Sequence, residues 1–332
     1  MIRACALPTP AEPERALDLF TEMTVDHEIP PTAGAYTATI LACARSGSKV
    51  YVKEAFRLAK EMLDAHRDAR GRGAFHPDSR LFGALLEGAK RIGDLGRVRW
   101  ILAEMVKSAR RDPESKVIVV DERIMTHVFH AYAAYKPPFR RSMAPLATQI
   151  EADADASAPP SPTEPVESSA DNRESSAPVE ASQEPSFAHL PPQSHPEVIG
   201  EACALFSRIV RPPSTSSPSS DPLSALPDVH VTPRLLAAYL SVFYSHAPLE
   251  TAHAMFRTVF AEHGLEKDAG ALVEALERCA GARRGAERER VLGFAEDAWQ
   301  EWSALENART KSNTSARDIQ RAYAARIRVL AL

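Results

Sequence analysis

One segment recurs along this chain with variations, and it limits the fold more than any other feature. Its first half reads Tyr36-Thr-Ala-Thr-Ile-Leu-Ala-Cys-Ala-Arg-Ser-Gly47 and returns as Phe82-Gly-Ala-Leu-Leu-Glu-Gly-Ala-Lys-Arg-Ile-Gly93. Its second half reads Arg15-Ala-Leu-Asp-Leu-Phe-Thr-Glu-Met23. That half returns as Glu54-Ala-Phe-Arg-Leu-Ala-Lys-Glu-Met62 and, more loosely, as Arg97-Val-Arg-Trp-Ile-Leu-Ala-Glu-Met105. A unit repeated every few tens of residues cannot bury its apolar face alone, so such units stack on one another. What a stack does, it does on the long surface its units share rather than in a catalytic pocket.

Both halves carry apolar residues at helical spacing. Tyr36, Ile40 and Cys43 mark one first half and Phe82, Leu86 and Ala89 the next; Ala16, Leu19, Phe20 and Met23 mark a second half. Val117-Ile-Val-Val120 is the one short β-branched run. The unit is therefore a helix–turn–helix hairpin whose first helix ends near Gly47 or Gly93, residues suited to a left-handed C-cap.

Weaker copies continue the series. Arg123 to Tyr132 is a third first helix, and its partner is Glu201 to Val210, where Ala202, Leu205, Phe206 and Ile209 take the slots of Ala16, Leu19, Phe20 and Met23. A fourth hairpin runs from Pro233 and then from Leu249 to Phe260. A fifth runs from Gly270 to Ala280 and then from Glu289 to Leu305. Ser315 to Leu332 reads as a last amphipathic helix, with Ile319, Tyr323, Ile327 and Leu330 on one face, placed to cap the array.

The expected fold is all-α: about five helical hairpins stacked in a solenoid. Its parts are N-terminal repeats over 11–144 and C-terminal repeats with the capping helix over 196–332. Residues 145–195 form an insertion inside the third hairpin, rich in Pro, Ser and Glu and poor in aromatics, a composition that predicts disorder. A second Ser/Pro-rich loop spans 211–228.

Charge follows the same division. The formal net charge is −4, but residues 151–200 hold ten Asp and Glu against one Arg, leaving the remainder at +5. A mildly basic folded part permits nucleic-acid binding. The four cysteines, Cys5, Cys43, Cys203 and Cys279, show no metal spacing and read as small core residues in a reducing compartment. No apolar run approaches a membrane span. The first residues are neither a secretory signal nor a transit peptide, and the chain opens on a second-half segment whose first half is absent. A fragment is the expectation, with any targeting sequence upstream.

Tyr36-Thr-Ala-Thr-Ile-Leu with Gly47, Glu54-Ala55, Leu58 and Glu61-Met62, closed by Pro77-Asp78, resembles the pentatricopeptide repeat family; Arg15 to Met23 is similar to that family's second half almost letter for letter. The resemblance is strongest over the first three units and weak after residue 200. Steps between first helices are 46, 43, 111 and 36 residues, an irregularity that resembles fungal or animal organellar members. The resemblance implies a non-catalytic protein that binds single-stranded organellar RNA, in mitochondria, in RNA stability, processing or translation, with first helices presenting side chains to bases. The alternative is a TPR-like protein scaffold, associated with the mitochondrial ribosome or other gene-expression proteins.

In the family, the residue after the opening slot of the first helix and the residue closing the repeat read the base. The implied pairs are Thr37 with Asp78, Gly83 with Asp121, Thr126 with Thr232, and Ala237 with Asp268; Thr37 with Asp78 resembles the guanine-preferring combination. Asp78, Asp121 and Asp268 are open to a second role, since an Asp before a helix is an ordinary N-cap. Arg80, Arg123 and Arg234 recur three residues before Gly83, Thr126 and Ala237, where a guanidinium would stack on a base or meet a phosphate.

Catalytic signatures are missing. There is no nucleophile–base constellation, P-loop or HExxH, and Gly71-Arg72-Gly73 lacks the rest of a phosphate fingerprint. His127 and His130 share one helix face without a second ligand pair, so they read as partly exposed polar positions. Neither an enzyme, nor a cofactor, nor a metal is expected.

Overall fold

The computed structural model describes residues 1–64, 73–111, 117–138, 190–210, 226, 229–281, 288–308 and 315–331. The segment read as disordered over 145–195 lies, up to residue 189, outside the described residues. So does the Ser/Pro loop of 211–228 apart from Leu226.

The described residues form thirteen α-helices and no strand. In chain order they are α1 (Ile2–Cys5), α2 (Pro13–Thr21, continued by a π turn over Glu22–Asp26), α3 (Ala33–Arg45), α4 (Lys49–Asp64), α5 (Ser79–Ile92), α6 (Leu95–Arg111) and α7 (Glu122–Ala134). Then come α8 (His195–Val210), α9 (Pro233–His246), α10 (Leu249–Glu262), α11 (Ala269–Ala280), α12 (Arg288–Ala308) and α13 (Ala316–Leu330). The β-branched run Val117–Val120 is a loop, bent at 117 and 118 and tied to the start of α5 where Val119 N donates to Ser79 Oγ at 2.9 Å.

Six helices begin with the same device. Thr32, Asp78, Asp121, Thr232, Asp268 and Ser315 sit in extended backbone, and each side chain accepts an orphan N–H of the first turn of α3, α5, α7, α9, α11 or α13. Counting from these caps puts the first five of these helices in one register. The fourth residue is Tyr36, Phe82, Met125, Leu236 or Leu272, the eighth Ile40, Leu86, Phe129, Leu240 or Leu276, and the eleventh Cys43, Ala89, Tyr132, Phe243 or Cys279. All fifteen are buried. This i, i+4, i+7 stripe faces the core, and each large apolar side chain on it contributes roughly 1.5–3 kcal/mol through burial.

The helices pack in two rows. Helices α3, α5, α7, α9, α11 and α13 each contact the next, while α4, α6, α8, α10 and α12 each pack on the helix before them. The second-row helices α4, α6, α8 and α12 also touch the following first-row helix. Among the described helices, substantial contacts join those one or two places apart in the order given; the main apolar core runs from Phe20 to Val329, and Cys5, Ala6, Ala16 and Ala42 form a small second cluster at the N-terminal end. At the N-terminal end, the four-residue α1 stands where a first helix would, against α2 and α3.

Two glycines set the spacing. A Cβ on Gly88 would lie 3.1 Å from Ala44 Cβ, so its absence lets α5 approach α3 closely. Gly93 ends α5 in the left-handed region (φ 68°), and a Cβ there would lie 2.8 Å from Ala134 O.

The last helix departs from the sequence reading. α13 lies in the first row, packed chiefly on α11. Its buried face is Ala322, Ala325 and Val329, while Tyr323, Ile327 and Leu330 are 47 %, 65 % and 61 % exposed. Small alanines allow α13 to approach α11 closely, which turns the larger apolar residues outward.

Candidate nucleic-acid interface

The closing residues of the implied base-reading pairs are all helix caps. Asp78 accepts from Leu81 N at 2.8 Å, Asp121 from Ile124 N at 2.9 Å, Thr232 from Leu235 N at 3.2 Å and Asp268 from Ala271 N at 2.8 Å. One carboxylate oxygen in each Asp is thereby committed to the backbone, and the other remains as an acceptor. Asp121 is exposed, whereas Asp78, Thr232 and Asp268 are half-buried.

Their partners are less uniform. Thr37, Gly83 and Ala237 are half-buried on α3, α5 and α9. Thr126 is only 2 % exposed, and its hydroxyl donates to the Glu122 carbonyl at 2.8 Å. The packing of α7 between α5 and α9 encloses it.

Arg80, Arg123 and Arg234 are exposed, and each stands two residues after its helix cap. Arg317 on α13 holds the same position, two after Ser315, and is also exposed. None of the four has an ion-pair partner among the described residues. Arg317 escapes a sequence reading that makes α13 a cap over the array. The signal is present all the same: Ser315 and Arg317 repeat the cap-plus-two spacing of Asp78 and Arg80.

The arginines adjoin a polar seam across α5, α7 and α9 that periodicity alone does not announce. Lys90 Nζ is 2.7 Å from Glu87 Oε2 and 3.0 Å from His127 Nδ1, and Arg91 Nε donates to Glu87 Oε1 at 2.8 Å. Burial alone would raise the Glu87 pKa, yet Lys90 and Arg91 hold it down at about 2. Burial, with Lys90 beside it, holds His127 down at about 3. The ring is therefore neutral, and its bare Nδ1 accepts from the Lys90 ammonium.

Next along the seam, burial and then Lys90 and Arg234 lower the His130 pKa to about 4. Ser241 Oγ on α9 donates to Ala238 O at 2.7 Å, which leaves it an acceptor facing His130 Nδ1 at 3.4 Å. Burial also lowers Lys90, and Arg91 and Arg234 add to the effect. Arg123 and Arg234 thus lie within electrostatic reach of Lys90, His127 and His130, with Glu87 the acid among them. Such a stretch attracts anions and offers neutral imidazole and hydroxyl groups beside the cations.

A second network holds α8. Arg99 on α6 reaches Glu201 on α8 at 3.3 Å and donates to Leu190 O at 2.8 Å. Tyr132 donates to Glu201 at 2.9 Å, and Tyr135 donates to Pro192 O at 3.0 Å. The final residues of the segment read as disordered, from Leu190 onward, are thus fixed against α6 and α7.

Among the described residues no cluster of three or more His, Cys, Asp or Glu has a metal-binding arrangement, and no helix is long and apolar enough to cross a membrane. No family model matches the chain, and no curated protein matches it.

Proposed function

We propose that this chain is a non-catalytic, single-stranded RNA-binding protein of the pentatricopeptide type, a right-handed superhelical solenoid acting in organellar, specifically mitochondrial, RNA stability, processing or translation. The observation that supports this reading best is the shared register of the first-row helices. Each begins with a polar cap, and four of the six carry an exposed arginine two residues later. A row of exposed guanidiniums, without ion-pair partners among the described residues and spaced by helix packing, suits a flexible phosphodiester chain, whose bases need no unpairing before they meet side chains.

The arginines and the α5–α7–α9 seam would hold the backbone, and Thr37 with Asp78 would read one base. A protein bound along a transcript blocks nucleases or keeps a start site open. Crosslinking the tagged chain in cells and sequencing the attached RNA tests the reading. Sharp footprints of several nucleotides support it; no enrichment over background overturns it.

A second reading is favoured by one observation. Tyr323, Ile327 and Leu330 form an exposed apolar stripe on α13, the kind of face a protein scaffold offers a partner. Crosslinks confined to ribosomal RNA would fit a mitochondrial ribosome-associated scaffold instead.

A further inference from the structure

We propose that His195 and His246 form a proton-operated latch that holds the N-terminal end of α8 against α7 and α9 while at least one ring is neutral, and frees it when both are charged. The hydrogen positions follow from the partners. His246 Nε2 lies 2.8 Å from Tyr132 O, which can only accept, so Nε2 carries a hydrogen. The neutral ring has no second one, so its Nδ1 is a bare acceptor. His195 Nδ1, 2.7 Å away, must donate to it.

A first added proton is tolerated. It goes to His195 Nε2 and leaves the Nδ1–H to Nδ1 bond in place, now charge-assisted. A second proton must go to His246 Nδ1, and then two N–H groups and two positive rings face each other with no acceptor between them. His246 is buried, and burial holds its pKa below the ordinary histidine value. The sign is therefore fixed. An undocked His246 takes its proton near the ordinary histidine value of about 6.5, whereas the docked ring resists it, so docking is complete above about pH 6.5 and weakens as pH falls below it.

The chain's connectivity makes this contact matter. Two or three residues join α3 to α4, α5 to α6 and α9 to α10, so those second helices cannot leave their partners. Between Ala134 at the end of α7 and His195 at the start of α8 lie 60 residues. A connection of that length is no two-residue tether, and the described contacts that hold α8 in place are those of its own side chains. The charged and titratable groups around the pair are Tyr132 and Tyr135 on and after α7, Glu197 and Glu201 on α8, and Arg99 on α6. Hydrogen bonds from Gln193 N and Ser194 keep Glu197 low. Burial raises Glu201, so the docked state holds that proton and acid favours docking there, opposite in sign to the histidine effect.

The test is hydrogen–deuterium exchange of the full chain from pH 7.5 to 5.0, corrected for intrinsic rates, reading α8 against α5. Wild-type α8 should lose protection relative to α5 by up to about thirty-fold, one proton acting over 1.5 pH units below the histidine value. His246→Gln keeps a donor for Tyr132 O without titrating, and should hold α8 equally at both ends of the range. His195→Ala, at a half-buried position, serves if that variant does not fold; its α8 should exchange fast with no added pH dependence. An α8 whose protection tracks α5 across the range overturns the latch. So does an acid-induced loss of α8 protection that survives in both histidine variants.

Discussion

Lys90 on α5 donates to the neutral ring of His127 on α7 across 3.0 Å while its other contact, Glu87 Oε2, lies at 2.7 Å. One ammonium thus ties two successive first-row helices together, and its counter-charge is nearly enclosed.

Removing that counter-charge should be costly. Glu87→Gln leaves Lys90 half-buried without its carboxylate, a loss of about 2–3 kcal/mol at pH 7 by analogy with broken buried pairs. The Glu87 pKa is depressed in the folded state, from 4.5 to about 2, so its contribution is complete above 4.5 and disappears as pH falls toward 2. Urea unfolding at pH 7 and pH 3 should show a difference between wild type and variant that shrinks at the lower pH. An equal difference at both would mean that the introduced amide simply packs badly.

The two roles open to Asp78 separate cleanly. Asp78→Ala should cost about 1 kcal/mol of stability through the lost cap. Asp78→Asn keeps an acceptor for Leu81 N and should leave thermal stability within about 0.5 kcal/mol. If the side chain also reads a base, the Asn variant changes base preference in an RNA-binding assay. If it leaves preference untouched while the Ala variant melts early, capping is the whole role.

Gly93→Ala meets two obstacles at once, a left-handed φ of 68° and the Ala134 carbonyl 2.8 Å from the new Cβ. A loss of about 2 kcal/mol or more is expected in denaturant unfolding. Gly47→Ala, where φ is 72° and a Cβ meets nothing within 4 Å, should cost about 1 kcal/mol. Equal losses at the two sites would show that the Ala134 contact carries no weight.

The stripe of core positions is readable from the repeat alone, because Tyr36, Ile40 and Cys43 differ from their surroundings in hydrophobicity at a spacing only a helix satisfies. The caps are readable for the same local reason. What pattern cannot supply is anything set by the next helix. Thr126 occupies an apparent base-reading slot, yet the neighbours of α7 bury it. His127 and His130 look like partly exposed polar residues in the sequence, and packing against Lys90 and Ser241 makes them a seam. In α13 the large residues Tyr323 and Ile327 suggest the buried face, but alanines opposite them give closer packing on α11.

Acid and base responses oppose one another in this chain. His127, His130 and His246 have lowered pKa values, so the unfolded state binds their protons first and stability falls as pH drops below 6.5. Burial raises Glu274 to about 7 and also raises Glu201, so the folded state holds those protons and stability falls as pH rises above 4.5. Glu274→Gln removes one opposing group. Its advantage over wild type should grow between pH 5 and pH 8, reaching roughly 1–2 kcal/mol, less than full linkage because the residue is only half-buried. Urea titrations across that range check it, and a pH-independent offset would contradict it.

The central claim is that exposed arginines at one register position hold a single-stranded nucleic acid. Its most direct test is the salt dependence of binding to a single-stranded RNA, compared between wild type and Arg80→Ala/Arg123→Ala/Arg234→Ala. Each phosphate contact on a single strand contributes about 0.7 to the slope of log K against log salt. The account predicts that wild type binds and that the triple variant binds more weakly with a slope flatter by about 2. An unchanged slope in the variant, or no salt-sensitive binding by wild type, would contradict it.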